Sequence, residues 1–142
     1  MTMAPIVRID ARITTGNRAG AGTDGTVYLG LCGREFKLDS AVNDFEQGSD
    51  RTYILGEGGG AGSSVTNPAG NDPRFPQLDT ANLDLPKYVR FEPSGNNPDW
   101  NLEFASATVN PGPHQLVFTA PALAGNLNLW LGTDFGKACF LK

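Results

Sequence analysis

Three short stretches carry the oxygen-rich groups from which a hard cation can be caged. The first offers Gly22, Thr23 and Asp24. The second is Asp39-Ser40-Ala41-Val42-Asn43-Asp44, with a carboxylate at each end. The third is Asn96-Asn97-Pro98-Asp99. Calcium takes about six to eight oxygens from carboxylates, backbone carbonyls and side-chain amides, in irregular geometry, and glycine lets a backbone carbonyl turn toward an ion. Asp and Asn are equally the usual residues of tight turns. A cage therefore depends on a fold that brings the three stretches to one place.

Other chemistries find less material. The single histidine, His114, lies between Pro113 and Gln115 in a turn-like setting, which suits an exposed polar residue better than a general base. No Gly-x-Ser-x-Gly elbow occurs to present a nucleophile. Two separated cysteines and one histidine do not make a closed zinc site. Gly20-Ala21-Gly22-Thr23-Asp24-Gly25 matches the spacing G-x-G-x-x-G, but that motif needs a helix after it to hold phosphates. A strand-like run follows here instead, so nucleotide binding is excluded on context.

The elements that must position these loops are strands. The 142 residues suffice for one domain and one core, and Gly (18) and Pro (10) punctuate the chain into short runs. Apolar and polar residues alternate over Val7–Ile13, Thr26–Cys32, Glu35–Leu38, Arg51–Leu55, Lys87–Glu92 and Trp100–Ala105. Gln115–Thr119, Asn126–Leu131 and Lys137–Leu141 complete the candidates. Eight or nine short strands without a convincing helix predict an antiparallel sandwich or barrel. In a sandwich, loops from distant strands gather at one end. Trp130, between Leu129 and Leu131, should pack inside or at an edge.

Residues 56–76 break the pattern. Glycines Gly58, Gly59, Gly60, Gly62 and Gly70 leave no hydrophobic period, so a surface insertion is expected, with Phe75 as its large apolar residue. Fifteen acidic against eleven basic residues give a net charge of −4. That balance argues against nucleic acid, whose phosphates need a basic face. No apolar run reaches the ~20 residues of a membrane helix. Met1 to Pro5 lacks the plan of a signal peptide, and no Asn-x-Ser/Thr acceptor occurs. Cys32 and Cys139 read first as buried thiols, with a disulfide between them left open.

The motifs taken in order resemble a known family. Thr15-Gly16, then Gly20-Ala21-Gly22-Thr23-Asp24 followed by Val27-Tyr28-Leu29-Gly30-Leu31, is similar to the opening strands of PLAT (polycystin/lipoxygenase/alpha-toxin) domains. Phe36-Lys37-Leu38-Asp39, Asn43-Asp44-Phe45-Glu46-Gln47-Gly48 and Asp50-Arg51-Thr52-Tyr53 resemble the family's central block. Arg90-Phe91-Glu92, Gly95 and Pro98-Asp99-Trp100-Asn101-Leu102 resemble a later strand, loop and tryptophan. The likeness covers roughly Pro5 to Val109, and the tail from Asn110 matches loosely.

The resemblance implies an all-β, eight-stranded antiparallel β-sandwich over residues 1–142. It implies a binding module, not an enzyme. Such a module attaches to lipid or membrane surfaces, often with calcium, or docks a partner protein or fused enzyme domain. Carried over by position, Asp24, Asp39, Asp44 and Asp99 would supply carboxylates to Ca2+. Gly22, Thr23, Ser40 and Val42 would supply carbonyls. Gly20 departs from the pattern, standing where some members have an acid. Membrane contact would need apolar side chains beside these loops, for which Phe75 and Trp100 are the candidates, Trp100 reading also as core. A calcium affinity of about 10⁻⁴–10⁻³ M, the extracellular range, would point to life outside the cell.

Overall fold

The computed structural model describes residues 3–59, 65–95, 99–124 and 129–142. Among them nine strands form: β1 (Arg8–Thr15), β2 (Thr26–Leu31), β3 (Arg34–Lys37), β4 (Asp50–Gly56), β5 (Lys87–Glu92), β6 (Asp99–Val109), β7 (Leu116–Thr119), β8 (Leu129–Gly132) and β9 (Ala138–Leu141). The predicted alternation is the reason. In β1, Ile9, Ala11, Ile13 and Thr15 turn inward while Arg8, Asp10 and Arg12 face out. β6 runs on through Ser106 to Val109, where Ala105, Ala107 and Val109 turn inward, one residue out of phase with Trp100 and Leu102 because the register with β1 shifts at Thr14/Thr15. The expected strand Asn126–Leu131 is seen from Leu129, its first residues lying outside the described ones.

All strand pairings are antiparallel. One sheet has the order β4-β1-β6-β7, with β8 also on β6, and the other has β3-β2-β5-β9. β7 pairs with Ser106–Val109 of β6 and β8 with Asp99–Leu102. β1 occupies the other side of β6. β7 and β8 therefore lie end to end in one position, and nine strands fill the eight positions of the expected sandwich. The chain also forms short 3-10 turns at Ala69–Asn71, Thr80–Asp84 and Pro121–Leu123, too brief to leave a sequence period. Asp79 caps the middle one by accepting from the Ala81 amide. No helix among the described residues is long and apolar enough to cross a membrane.

The core lies between the sheets. Trp100, Tyr53, Phe36 and Phe91 are fully buried with Ile9, Ile13, Leu29 and Leu102. Trp100 is the hub: the Phe45 and Phe91 rings stand 5.4 and 5.6 Å from it, and its indole Nε1 donates to the Thr15 hydroxyl at 2.9 Å. A buried indole N–H needs such an acceptor. Burial removes Trp100 from the candidates for membrane contact; its side chain faces inward from β6 and holds the sheets together. Trp130 is half-buried on β8. Cys32 and Cys139 are free and buried, and burial pushes both thiols up from their ordinary pKa.

The registers define two poles. Thr14 pairs with Asp50, Thr26 with Glu92, Tyr28 with Lys37, and Asp99 with Gly132, so these ends meet at an upper pole. Arg8 pairs with Gly56, and Leu31 with Arg34, at a lower pole. β1 alone, at about 3.4 Å per residue, sets the poles roughly 25 Å apart.

The stretch 56–76 is more ordered than a bare insertion. Residues 60–64 lie outside the described ones. Beyond them, the Thr66 amide donates to the Asp39 carbonyl at the upper pole, at 2.8 Å. Asn71 Oδ1 then accepts from the Lys37 amide at 2.7 Å, and Arg34 donates to the carbonyls of Asp72 and Gly70. Leu78 meets Ile6 through backbone hydrogen bonding at the lower pole. The segment thus descends beside β3 on side-chain and backbone hydrogen bonds, which leave no hydrophobic period to read. Phe75 is 69% exposed, but it follows Pro73, whose ring lies beside Gly56 at the lower pole. It is therefore remote from the oxygen-rich loops and does not flank them.

Candidate functional site: the upper-pole hollow

The β1–β2 and β3–β4 loops come together at the upper pole because their backbones touch. The Thr23 amide donates to the Phe45 carbonyl at 3.1 Å. A Cβ on Gly22 would stand 2.9 Å from the Gln47 amide nitrogen and 3.2 Å from the Phe45 carbonyl oxygen. Glycine is needed there for close approach, which is a different reason from a carbonyl turned to an ion. Phe45 fixes this junction to the core. Its φ is +60°, a left-handed conformation rare for a bulky residue. Its ring is buried against Tyr53, at 5.7 Å, and against Trp100. Such strain costs about 1–3 kcal/mol and persists where surrounding packing over-determines it.

Between the loops lies an open hollow of about 230 Å3, lined in part by Thr23, Asp24, Asp39, Val42, Asp44 and Glu46. Five of the predicted residues are therefore brought together: Thr23, Asp24, Asp39, Val42 and Asp44. Gly22, Ser40 and Asp99 are at the same pole without lining it. Gly22 sits at the loop junction, Ser40 bonds Asp44, and Asp99 opens β6 opposite Gly132. Asn96, Asn97 and Pro98 lie outside the described residues. Lys37 and Glu46 also line the hollow and were not foreseen. Glu46 follows the inward-turned Phe45, so the alternation about Phe45 was the available signal.

The lining groups differ in what already holds them. Thr23 Oγ1 accepts from the Gly25 amide at 3.0 Å. Asp39 Oδ2 accepts from the Thr66 hydroxyl at 3.1 Å. Asp44 is nearly buried and lies beside Arg51. Val42 projects outward, 57% exposed. On the opposite flank of the same pole, the β8–β9 turn presents Phe135, 50% exposed.

By donor chemistry this lining suits a hard, oxygen-seeking cation: carboxylates, an Asn amide and backbone carbonyls, with no sulfur or imidazole. Among the described residues, however, no three acidic, His or Cys side chains converge closely enough to form a ready cluster.

No family model and no curated relative matches this sequence. Solved structures do. The alpha-toxin of Clostridium absonum aligns over 97% of this chain and 32% of its own, at 20% identity and a TM-score of 0.62. The alpha-toxin of an avian strain of Clostridium perfringens aligns over 97% and 31%, at 21% identity and a TM-score of 0.61. Coral 8R-lipoxygenase aligns over 94% and 17%, at 20% identity and a TM-score of 0.57. The matched regions are the PLAT/C2-like domains of those proteins. This chain has the PLAT fold. It spans about a third of each toxin and about a sixth of the lipoxygenase. In the coral enzyme, calcium activation acts via a C2-like domain. The PLAT sandwich accounts for the eight strand positions and for the gathering of the β1–β2 and β3–β4 loops at one pole.

Proposed function

We propose that this chain is a non-catalytic calcium-binding module that attaches to lipid or membrane surfaces through its upper pole. The observation supporting this most directly is the hollow itself, which carries Thr23, Asp24, Asp39 and Val42 from two loops. In this reading the carboxylates of Asp24 and Asp39 hold the ion, with the carbonyls of Thr23 and Val42. Gly22 keeps the loops close, and Asp99 adds negative charge from β6. Calcium supplies positive charge that offsets the acidic lining and favours anionic headgroups. Val42 and Phe135, exposed on either flank, enter the interfacial region, where apolar side chains gain by burial. They take the part expected of Phe75 and Trp100.

Calorimetric titration should show calcium binding at about 10⁻⁴–10⁻³ M, weakened tenfold or more by Asp39→Asn. Phosphatidylserine vesicles should pellet the protein in calcium, and chelator or Phe135→Ser should reduce pelleting. Absence of both calcium heat and calcium-dependent pelleting would sink the reading. A protein-docking module is the second reading, favoured by Met3 and Phe75, which are 72% and 69% exposed near the lower pole. In that case calcium raises the melting temperature while vesicles leave the protein in solution.

A further inference from the structure

The 39–44 loop is held by protein groups. Asp44 Oδ2 accepts from the Ser40 amide at 2.8 Å, and Oδ1 accepts from the Ser40 hydroxyl at 2.7 Å. Oδ1 also accepts from the Tyr53 hydroxyl at 2.7 Å and, at 3.4 Å, from Arg51 Nη1. Arg51 Nη1 in turn donates to the Ser40 hydroxyl at 2.7 Å. An ionised carboxylate has about two lone-pair sites on each oxygen, so the three donors at Oδ1 more than fill it, while Oδ2 is engaged by the Ser40 amide and keeps one site. Tyr53 and Arg51 belong to β4, in one sheet, while the loop leaves β3, in the other. The bonds therefore close the sandwich across its β3–β4 side.

We infer that Asp44 is the clasp of the upper-pole loop, a positioning residue with Arg51 as its resident cation, and not one of the ion's ligands. Turning Asp44 toward an ion would strand the hydroxyl of Tyr53, whose side chain is fully buried. It would also leave Arg51 without its carboxylate and release the turn that Ser40 closes. Among the described residues, Asp39 Oδ2 accepts from the Thr66 hydroxyl and the Asp39 carbonyl from the Thr66 amide, a lighter engagement than that of Asp44. The ion's carboxylates are then drawn from the Asp24 and Asp39 side of the hollow, and the loop is shaped before the ion arrives. This division of labour rests on the calcium reading for the ligands, while the clasp itself stands on protein contacts.

The test pairs melting in EGTA with calcium titration for Asp44→Asn, Tyr53→Phe and Asp39→Asn. Asp44→Asn should lower the melting temperature in EGTA by more than about 3 °C, while the calcium dissociation constant moves less than about threefold. Asp39→Asn should do the reverse, melting within about 1 °C of wild type in EGTA and binding calcium at least about tenfold more weakly. Tyr53→Phe keeps the ring and removes one donor, so it reports on the clasp if Asp44→Asn fails to fold. It should melt lower with calcium affinity unchanged. Unchanged or raised melting of Asp44→Asn in EGTA with a tenfold loss of calcium affinity would overturn the inference, as would tighter calcium binding by Tyr53→Phe. If the wild type takes up no calcium, the ligand assignment fails, and the melting arm alone upholds or overturns the clasp.

Discussion

The two poles of this sandwich treat their carboxylates differently. At the lower pole Asp72 is nearly buried and answered within the chain. Arg74 Nε and Nη2 donate to its two oxygens at 3.0 and 2.8 Å. That guanidinium holds the Asp72 carboxyl below the usual carboxylate range, against the opposing effect of burial. Arg8 and Asp10 pair nearby in the same way. At the upper pole, Asp24, Asp39, Asp44 and Glu46 line one hollow with Lys37, and Arg51 serves Asp44. Asp72 and Asp10 are thus each held by an arginine two residues away, whereas four carboxylates share the upper hollow with one lysine and Arg51. The proposed function places the cation at the pole where these carboxylates share one hollow.

The comparison breaks most severely if the upper loops lose their anchor. Phe45→Ala should cost about 3–5 kcal/mol in urea unfolding, because a buried aromatic contact with Trp100 and Tyr53 becomes a cavity. Alanine at the same positive φ relieves none of the backbone strain. Full stability in this variant would show that the hollow is built without the core.

The lower pole is sharpened by acid. The folded-state pKa of Asp72 is depressed, so its contribution is complete above the ordinary aspartate value of about 3.9 and falls away as pH drops through the lower folded value. Asp72→Asn should melt lower than wild type at neutral pH and show a flatter loss of stability below about pH 4. Parallel pH profiles for the two proteins would mean that the Arg74 pair contributes nothing. The smallest effect belongs to Phe75→Ser, expected within about 0.5 kcal/mol of wild type, with calcium-dependent pelleting unchanged. Loss of pelleting would move the membrane contact to the wrong pole for the proposed function.

Strand alternation and turn residues made the sandwich legible before any coordinate, because a two-residue period survives wherever one face is buried. The loop stretches around Asp24, Asp39 and Asp44 were legible as oxygen donors. What each oxygen was bonded to was not. Tyr53 is nine residues from Asp44 and Thr66 is 27 from Asp39, and such partners are set by tertiary position. Trp100 was legible as a strand residue, yet only the packing of Phe45 and Phe91 on it decided between core and surface. The path of residues 65–78 was hidden because hydrogen bonds from Arg34 and Lys37, not apolar contacts, hold it.

That path has a bearing on association. β3 is the outermost strand of its sheet, and an outermost strand offers its amides to any extended chain that drifts past. Here the Lys37 amide is already engaged by Asn71 Oδ1, and the Arg34 guanidinium reaches across to the Gly70 and Asp72 carbonyls. The descending segment thus stands as a guard rail along this edge, occupying a place that an added strand would need.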